Sequence, residues 1–454
     1  MSKLTVCLLN DSFPPTIDGV ANATVNYARA INGGMGKAVV TTPWYPDSED
    51  DKFDFPIIRY PSAYISKRLG YRAGYPFDPR VIHQLKKQQI DVIHSHCPFI
   101  STVLARVLRF YTGAPIVFTY HTKFDYDIEK RVASNPVRNV SIKFLMNNIN
   151  ACDEVWVVSE GAGENLRSLG YTGDYIVMEN GTDFKKGRSS DEEIAALSEK
   201  YCLTDDVPVF LFVGRMMWYK GVKISLDGLK YAKDRGAKFK MILVGEGHDR
   251  EEMMEYVKTI GIAEDCIFTG AIHDRELLRT YFSRADLFLF PSTYDTNGIV
   301  VREAAACSCP SILVKGSCAA EGVLDDDTGI FIEENGDSMG EALLKACADR
   351  ERLRRIGRNA AERLYISWDD AVKKAYARYE EVVRTGIKKK ENPSFNESFF
   401  AEVQQIRDDF QYHKAQIQQQ MTDYYEEQML KLHFQGERLK GRVYRAIRKN
   451  RKDR

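Results

Sequence analysis

No stretch of this 454-residue chain approaches 18 uninterrupted apolar residues, so nothing in it reads as a transmembrane helix. The N-terminal MSKLTVCLLNDSF holds a short apolar run broken by Asn10 and Asp11, with neither the h-region nor the small-residue cleavage site of a secretory signal. Net charge is also missing, with 64 Lys and Arg against 64 Asp and Glu, so the molecule as a whole offers no sign of a polyanionic partner. Nine cysteines form an odd, scattered set with no disulfide framework, which points to a reducing cytoplasm. Cys307 and Cys309 are too closely spaced for a zinc ribbon and have no second pair. The run Ser159 to Asn165 contains G-x-G without a third glycine and follows the sixth strand-like segment, which speaks against a dinucleotide site.

What is present is ordinary core-forming composition, 44% hydrophobic, over a length suited to two or three domains. The first half alternates apolar runs (LTVCLLN, KAVVTTP, PIIRYP, DVIHSH, PIVFTYH, DEVWVVS, DYIVMEN) with helical stretches, the pattern of a parallel, doubly wound sheet. The second half repeats the alternation, and chemistry gathers where its strands end.

PSTYDTNGIVVREAAACSCP, Pro291 to Pro310, passes from a strand through a polar turn into an alanine-rich helix. Asp295 and Glu303 lie eight residues apart, placed to project from the turn and from the helix. Gly298 lets amides approach a ligand at a helix N-terminus, where phosphate is favoured. An ordinary N-cap explains the same polar residues. VFLFVGRMMWYKG adds Arg215 and Lys220 after another strand, a planar fork and a mobile point charge suited to a diphosphate, although a solvated loop would look alike. KMILVGEG and CIFTGAI are two further strand-plus-glycine units.

Taken in order, GRMMWYKG, VGEG, FTGAI and FPSTYDTNGIVVREAAAC resemble the donor-binding half of the retaining glycosyltransferases of family 4, and the likeness extends over about residues 1 to 386. The resemblance implies an α/β GT-B fold of two Rossmann-like doubly wound domains facing a cleft, and a nucleotide-diphosphate sugar, UDP-linked, as co-substrate without metal or other cofactor. It implies that Arg215 and Lys220 grip the diphosphate, that Glu303 holds the ribose hydroxyls, that Asp295 touches the sugar and that the backbone at Ala271 and Ile272 faces the base. Gly19, Gly245, Asn297, Gly298 and Ile299 complete the donor site, and the FTYHT run brings His121 to the sugar. His121, Arg215, Lys220 and Asp295 are thus the expected catalytic set. Departures from the family pattern bear on sugar preference more than on activity. They are Asp295 for Glu, Asn297 for the Gln of related glycolipid enzymes, Ser308 for Gly, and Asp18 in a glycine-rich loop, facing the acceptor side or solvent.

His94, His96 and His121 suggest a metal cluster, but their spacing does not bring carboxylate or thiolate partners into a ligand pattern, and histidines at strand ends are commonly satisfied turn residues. Asp325-Asp326-Asp327 is better explained as a turn than as a metal-binding D-x-D, and the resemblance places no metal there. Four parts follow: residues 1–190, an acceptor-side domain; 191–366, the donor domain, entered through a polar linker at 185–206; 367–386, a helix crossing back; and 387–454, a helical extension. Residues 397–434 carry a narrow apolar stripe that suits packing on the enzyme or homo-oligomerisation. Lys431 to Arg454 hold ten Lys or Arg against two acids, leaving 54 bases and 62 acids, net −8, in the first 430 residues. That tail, with no nucleic-acid motif beside it, suits an anionic membrane surface. Ser62 to Phe77 mixes Tyr, Lys and Arg and could meet a headgroup layer or be an exposed loop. With FTYHT and the DTNG variant closest in look to enzymes that glycosylate diacylglycerol, the expectation is a cytoplasmic, peripherally membrane-bound transferase acting on a lipid. The alternatives are a saccharide-chain acceptor, or a silent GT-B module that binds nucleotide sugars or proteins.

Overall fold

The computed structural model describes residues 3–16, 18–64, 72–124 and 135–387. The chain forms one compact unit of Met1–Phe124 with Leu145–Lys389, and another of Asp125–Phe144 with Lys390–Arg454. Of the second, only residues 135–144 are described; they open a helix, Asn135–Asn150. The expected apolar stripe at 397–434 and the basic tail lie outside the described residues, as does the middle of the Ser62 to Phe77 segment.

The larger unit contains two parallel sheets. The first comprises β1 (Thr5–Leu9), β2 (Lys37–Pro43), β3 (Ile57–Tyr60), β6 (Val92–Ser95), β7 (Ile116–Tyr120), β8 (Glu154–Val157) and β9 (Ile176–Val177), in the order β3-β2-β1-β6-β7-β8-β9. A small antiparallel pair, β4 (Ser62–Tyr64) and β5 (Arg72–Gly74), stands apart from it. The second comprises β10 (Val209–Val213), β11 (Lys240–Val244), β12 (Cys266–Gly270), β13 (Leu287–Phe290), β14 (Ser311–Val314) and β15 (Ile330–Ile332), in the order β12-β11-β10-β13-β14-β15. Their near-continuous apolar runs have the signature of strands covered on both faces. Leu211, for example, pairs with Ile242 on one side and Phe288 on the other, and all three are buried.

In each sheet the strand order reverses once, between β1 and β6 and between β10 and β13. Loops diverge at such a point and leave a crevice at the carboxyl ends of the strands, where open α/β sheets hold ligands. The loops after β10 and β13 are the two that carry Arg215, Lys220, Asp295 and Gly298.

The expected polar linker contains a helix. Asp191–Lys200 opens with a reciprocal capping box between Ser190 and Glu193, and Leu197 and Leu203 are buried in the second half's core. A length of 10 residues and one buried apolar position gave little periodicity to read, but S-x-x-E was a usable sign.

The helix Trp368–Thr385, capped by Ser367, packs on the first half. Trp368, Val372, Ala375 and Tyr379 join the core cluster of Leu8, Tyr27 and Trp156. Leu4 N donates to the Tyr376 hydroxyl at 2.8 Å. Two chain crossings therefore connect the halves, and they touch: Thr182 N donates to Ile366 O at 2.9 Å and Trp368 N to Thr182 O at 3.3 Å. Gly181 permits this, since a Cβ there would lie 2.5 Å from Trp368 N.

Candidate active site

Lys220 closes a short 3-10 turn, Trp218–Lys220, after β10. Gly221 follows at φ 75°, and a Cβ on it would stand 2.3 Å from Pro291 O, so glycine lets the two switch-point loops touch. The contact brings Lys220 Nζ to 2.5 Å from Asp295 Oδ1, while Ser292 Oγ donates to Asp295 Oδ2 at 2.6 Å. The Lys220 ammonium also lies 5.2 Å from the Tyr294 ring centroid. Lys220 is buried, at 8% exposure. It is therefore a packed and paired cation as well as a loop residue, and Asp295 turns both oxygens inward. Arg215, five residues earlier, is exposed and forms no ion pair among the described residues.

Gly298 takes the left-handed conformation at φ 60° and starts the helix Ile299–Ala306 without any side-chain cap. Val301 N donates to Gly298 O at 2.8 Å, and the amides of Ile299 and Val300 before it are left for a ligand or water. One turn on, buried Glu303 accepts from Arg275 Nη2 at 2.6 Å, and Arg275 also pairs with Asp183. Burial pushes the Glu303 carboxyl above its ordinary range, and the Arg275 guanidinium pulls it back. Gly245 turns at φ 143° directly after β11, and Ala271 and Ile272 follow β12, Ala271 exposed and Ile272 half-buried.

The first half contributes neutral groups. His94 is a satisfied core histidine, with Nδ1 2.5 Å from the Tyr379 hydroxyl and Nε2 2.7 Å from Thr119 Oγ1. His96 Nδ1 lies 2.9 Å from His121 Nε2. Burial holds His94 and His96 well below their ordinary pKa and pushes His121 down to about 3. Among the described residues no group of three or more His, Cys, Asp or Glu is arranged to hold a metal ion. Asp325 to Asp327 form a turn whose last carboxylate binds Asn359 and Arg363. Asp18 caps the helix Gly19–Ala30, its Oδ1 accepting from Val20 N at 2.9 Å and Ala21 N at 2.7 Å. Gly19 begins that helix, and a Cβ there would meet nothing within 4 Å.

Loops of the two halves meet at these strand ends. Thr296 Oγ1 donates to His121 O at 2.5 Å, Asn297 Nδ2 to Val158 O at 2.6 Å and Lys123 Nζ to Thr293 O at 3.3 Å. Glu321 accepts from the amides of Glu160 and Gly161, both at 2.7 Å. Asn297 is thereby a bridging residue, and His121 lies one hydrogen bond from the Asp295 loop. Sequence reading missed Arg275, Asp183 and Glu321.

A Glycosyltransferase Family 4 model matches residues 17–186, and a Glycosyl transferases group 1 model matches 193–363. The chain is a family 4 glycosyltransferase of the GT-B fold. Over 413 residues this glycosyltransferase is 23% identical to the alpha-monoglucosyldiacylglycerol synthase of Acholeplasma laidlawii, which covers 87% of this chain and 100% of that one. It is 27% identical over 316 residues to a GDP-mannose-dependent alpha-mannosyltransferase of Corynebacterium glutamicum, covering 68% of this chain and 72% of the relative. Among solved structures, Anabaena HepE in complex with UDP and glucose superposes with a TM-score of 0.66 at 16% identity, over 84% of this chain and 100% of that one. The sucrose-phosphate synthase of Thermosynechococcus elongatus gives 0.65 at 20% identity, over 85% and 100%. No described helix is long and apolar enough to cross a membrane.

Proposed function

We propose that this glycosyltransferase moves a hexose, with retention and without a metal, from a UDP-linked sugar to a membrane lipid of the diacylglycerol type. One observation carries the donor half of the reading. The uncapped helix start at Gly298, buried Lys220 and exposed Arg215 occupy the two loops of one switch point, so preorganised positive charge surrounds a place where a leaving diphosphate would develop negative charge. Glu303, buried on the same helix, is the ribose ligand. Asp295, hydrogen-bonded by Lys220 and Ser292, and neutral His121, whose backbone oxygen accepts from Thr296 of the same loop, are the groups for the sugar.

The lipid half is supported by the Acholeplasma laidlawii relative and a Streptococcus pneumoniae one, both named alpha-monoglucosyldiacylglycerol synthase. An alpha product is what retention from an alpha-linked UDP-hexose would yield. Ten bases within Lys431 to Arg454 would hold the enzyme on an anionic cytoplasmic leaflet, each contributing about 1 kcal/mol near the surface.

Incubation with a panel of nucleotide sugars and a lipid extract, followed by mass spectrometry and anomeric NMR, tests the proposal. A glycosylated diacylglycerol of alpha configuration is expected. Transfer only to saccharides would replace the lipid acceptor, and absence of both transfer and donor hydrolysis would leave a binding module. Co-sedimentation with anionic vesicles, lost on deleting Lys431 to Arg454 and weakened by 1 M salt, is the expected behaviour of the tail.

A further inference from the structure

We infer that Arg275 is a positioning residue for the donor: it fixes the Glu303 carboxylate through one oxygen, leaves the other for the ribose, and ties that carboxylate to the chain crossing at Asp183. The inference rests on the reading of Glu303 as the ribose ligand.

The geometry is specific. Asp274 caps the helix Arg275–Arg284, accepting from Glu276 N at 3.0 Å and Leu277 N at 3.1 Å, which sets Arg275 at its first position. From there the guanidinium spreads its fork between two carboxylates. Nε donates to Asp183 Oδ2 at 3.0 Å, and Nη2 donates to Glu303 Oε1 at 2.6 Å and also to Asp183 Oδ1. Its Cζ lies 4.4 Å from the Phe184 ring centroid, so the plane of the guanidinium is held as well as its ends.

Glu303 Oε2 accepts no hydrogen bond from any described residue, and it is not among the buried atoms left without a partner. One oxygen is therefore anchored and the other remains accessible. A carboxylate serving a vicinal diol needs both properties: it must be ionised to accept, and oriented to accept from a fixed direction. Asp183 lies next to Thr182, whose backbone joins the two crossings between halves. Movement at that junction would reach Glu303 through a single side chain.

The test measures binding of UDP and of 2′,3′-dideoxy-UDP to the full chain by calorimetry. Wild type is expected to prefer UDP. Arg275→Gln should weaken UDP by about tenfold, the worth of one charge-assisted hydrogen bond, and leave dideoxy-UDP unchanged; that unchanged affinity also shows a folded donor site. Arg275→Lys, which keeps the charge but loses the fork, should fall between, and decides the matter if Arg275→Gln fails to fold. Glu303→Gln separates the two layers. If it loses the preference for UDP while both Arg275 variants keep it, the positioning role is overturned and the ribose reading stands. If Glu303→Gln itself keeps the preference, or wild type shows none, the ribose reading fails and takes the inference with it.

Discussion

At the carboxyl ends of their strands the two sheets present opposite chemistry. The second gathers charges in pairs, Lys220 with Asp295 and Arg275 with Glu303, beside exposed Arg215. The first offers buried histidines held neutral and an aspartate, Asp11, sunk among the Tyr60 hydroxyl and the Ser101 amide and hydroxyl at 3.0, 2.9 and 2.7 Å. Paired charges suit a charged ligand, because a pair arranged before binding needs little reorganisation when the ligand's own charge arrives. Neutral, desolvated groups suit uncharged hydroxyls. The contrast supports the proposal that the diphosphate belongs to the second half more than any single residue does.

The sharpest way to break that contrast is Lys220→Ala, which should lower turnover by about 10²- to 10³-fold. Because Lys220 is buried and paired, the variant should also melt earlier, with Asp295 left on Ser292 alone. Lys220→Met with Asp295→Asn should recover the melting temperature without recovering turnover. Near-normal turnover in the single variant would remove Lys220 from the diphosphate site.

Asp295→Glu restores the family's longer reach and should change sugar preference or cost on the order of 10²-fold in rate, since a displacement of ~1 Å is enough. The extra methylene must be absorbed between Lys220 and Ser292, so the loss should exceed any change in stability. Unchanged kinetics across several donors would place the sugar elsewhere.

A third measurement sharpens the other side. The unfolded chain takes up a proton on histidine near pH 6.5, whereas folded His121 does so only at about 3. Stability from His121 is therefore complete above pH 6.5 and falls as the pH drops through that window, by about 2 kcal/mol at pH 5. Glu303 runs the other way, since its raised pKa adds stability that is lost as pH rises. Thermal melts at pH 7 and pH 5 should show the histidine sign dominating, with a shallower slope in His121→Asn. An equal slope in that variant would mean that the imidazole titrates in the fold as it does in the unfolded chain.

The smallest effect lies in the turn after the alanine-rich helix. Ser308 adopts φ 58°, so Ser308→Gly, the residue usual in the family, should stabilise by about 1 kcal/mol, visible as a higher denaturant midpoint.

Much of this architecture was legible. KAVVTTP and VFLFV coincide with β2 and β10, because both-face burial leaves an unbroken apolar run that ends where the polar loop begins. The order of the four donor-half motifs was legible because each follows its own strand. What escaped was whatever depends on distance across the fold. Arg275 reaches partners 28 and 92 positions away, and Glu321 reaches 160 and 161 positions back. No local period encodes such pairs. Asp18 shows the reverse case: its partners, Val20 and Ala21, are only two and three positions away, and the helix cap they form was not read from the sequence.

The return of the helix Trp368–Thr385 to the first half has a consequence during synthesis. The first sheet's core lacks Trp368, Val372, Ala375 and Tyr379, and His94 lacks the Tyr379 hydroxyl, until residue 385 has left the ribosome. That is about 200 residues after the first crossing, or on the order of 10–40 s at 5–20 residues per second. The second sheet and its core clusters, complete by residue 364, are closed before that helix has emerged. The later-made half can thus finish first, and the earlier-made half waits, partly assembled, for that helix to dock.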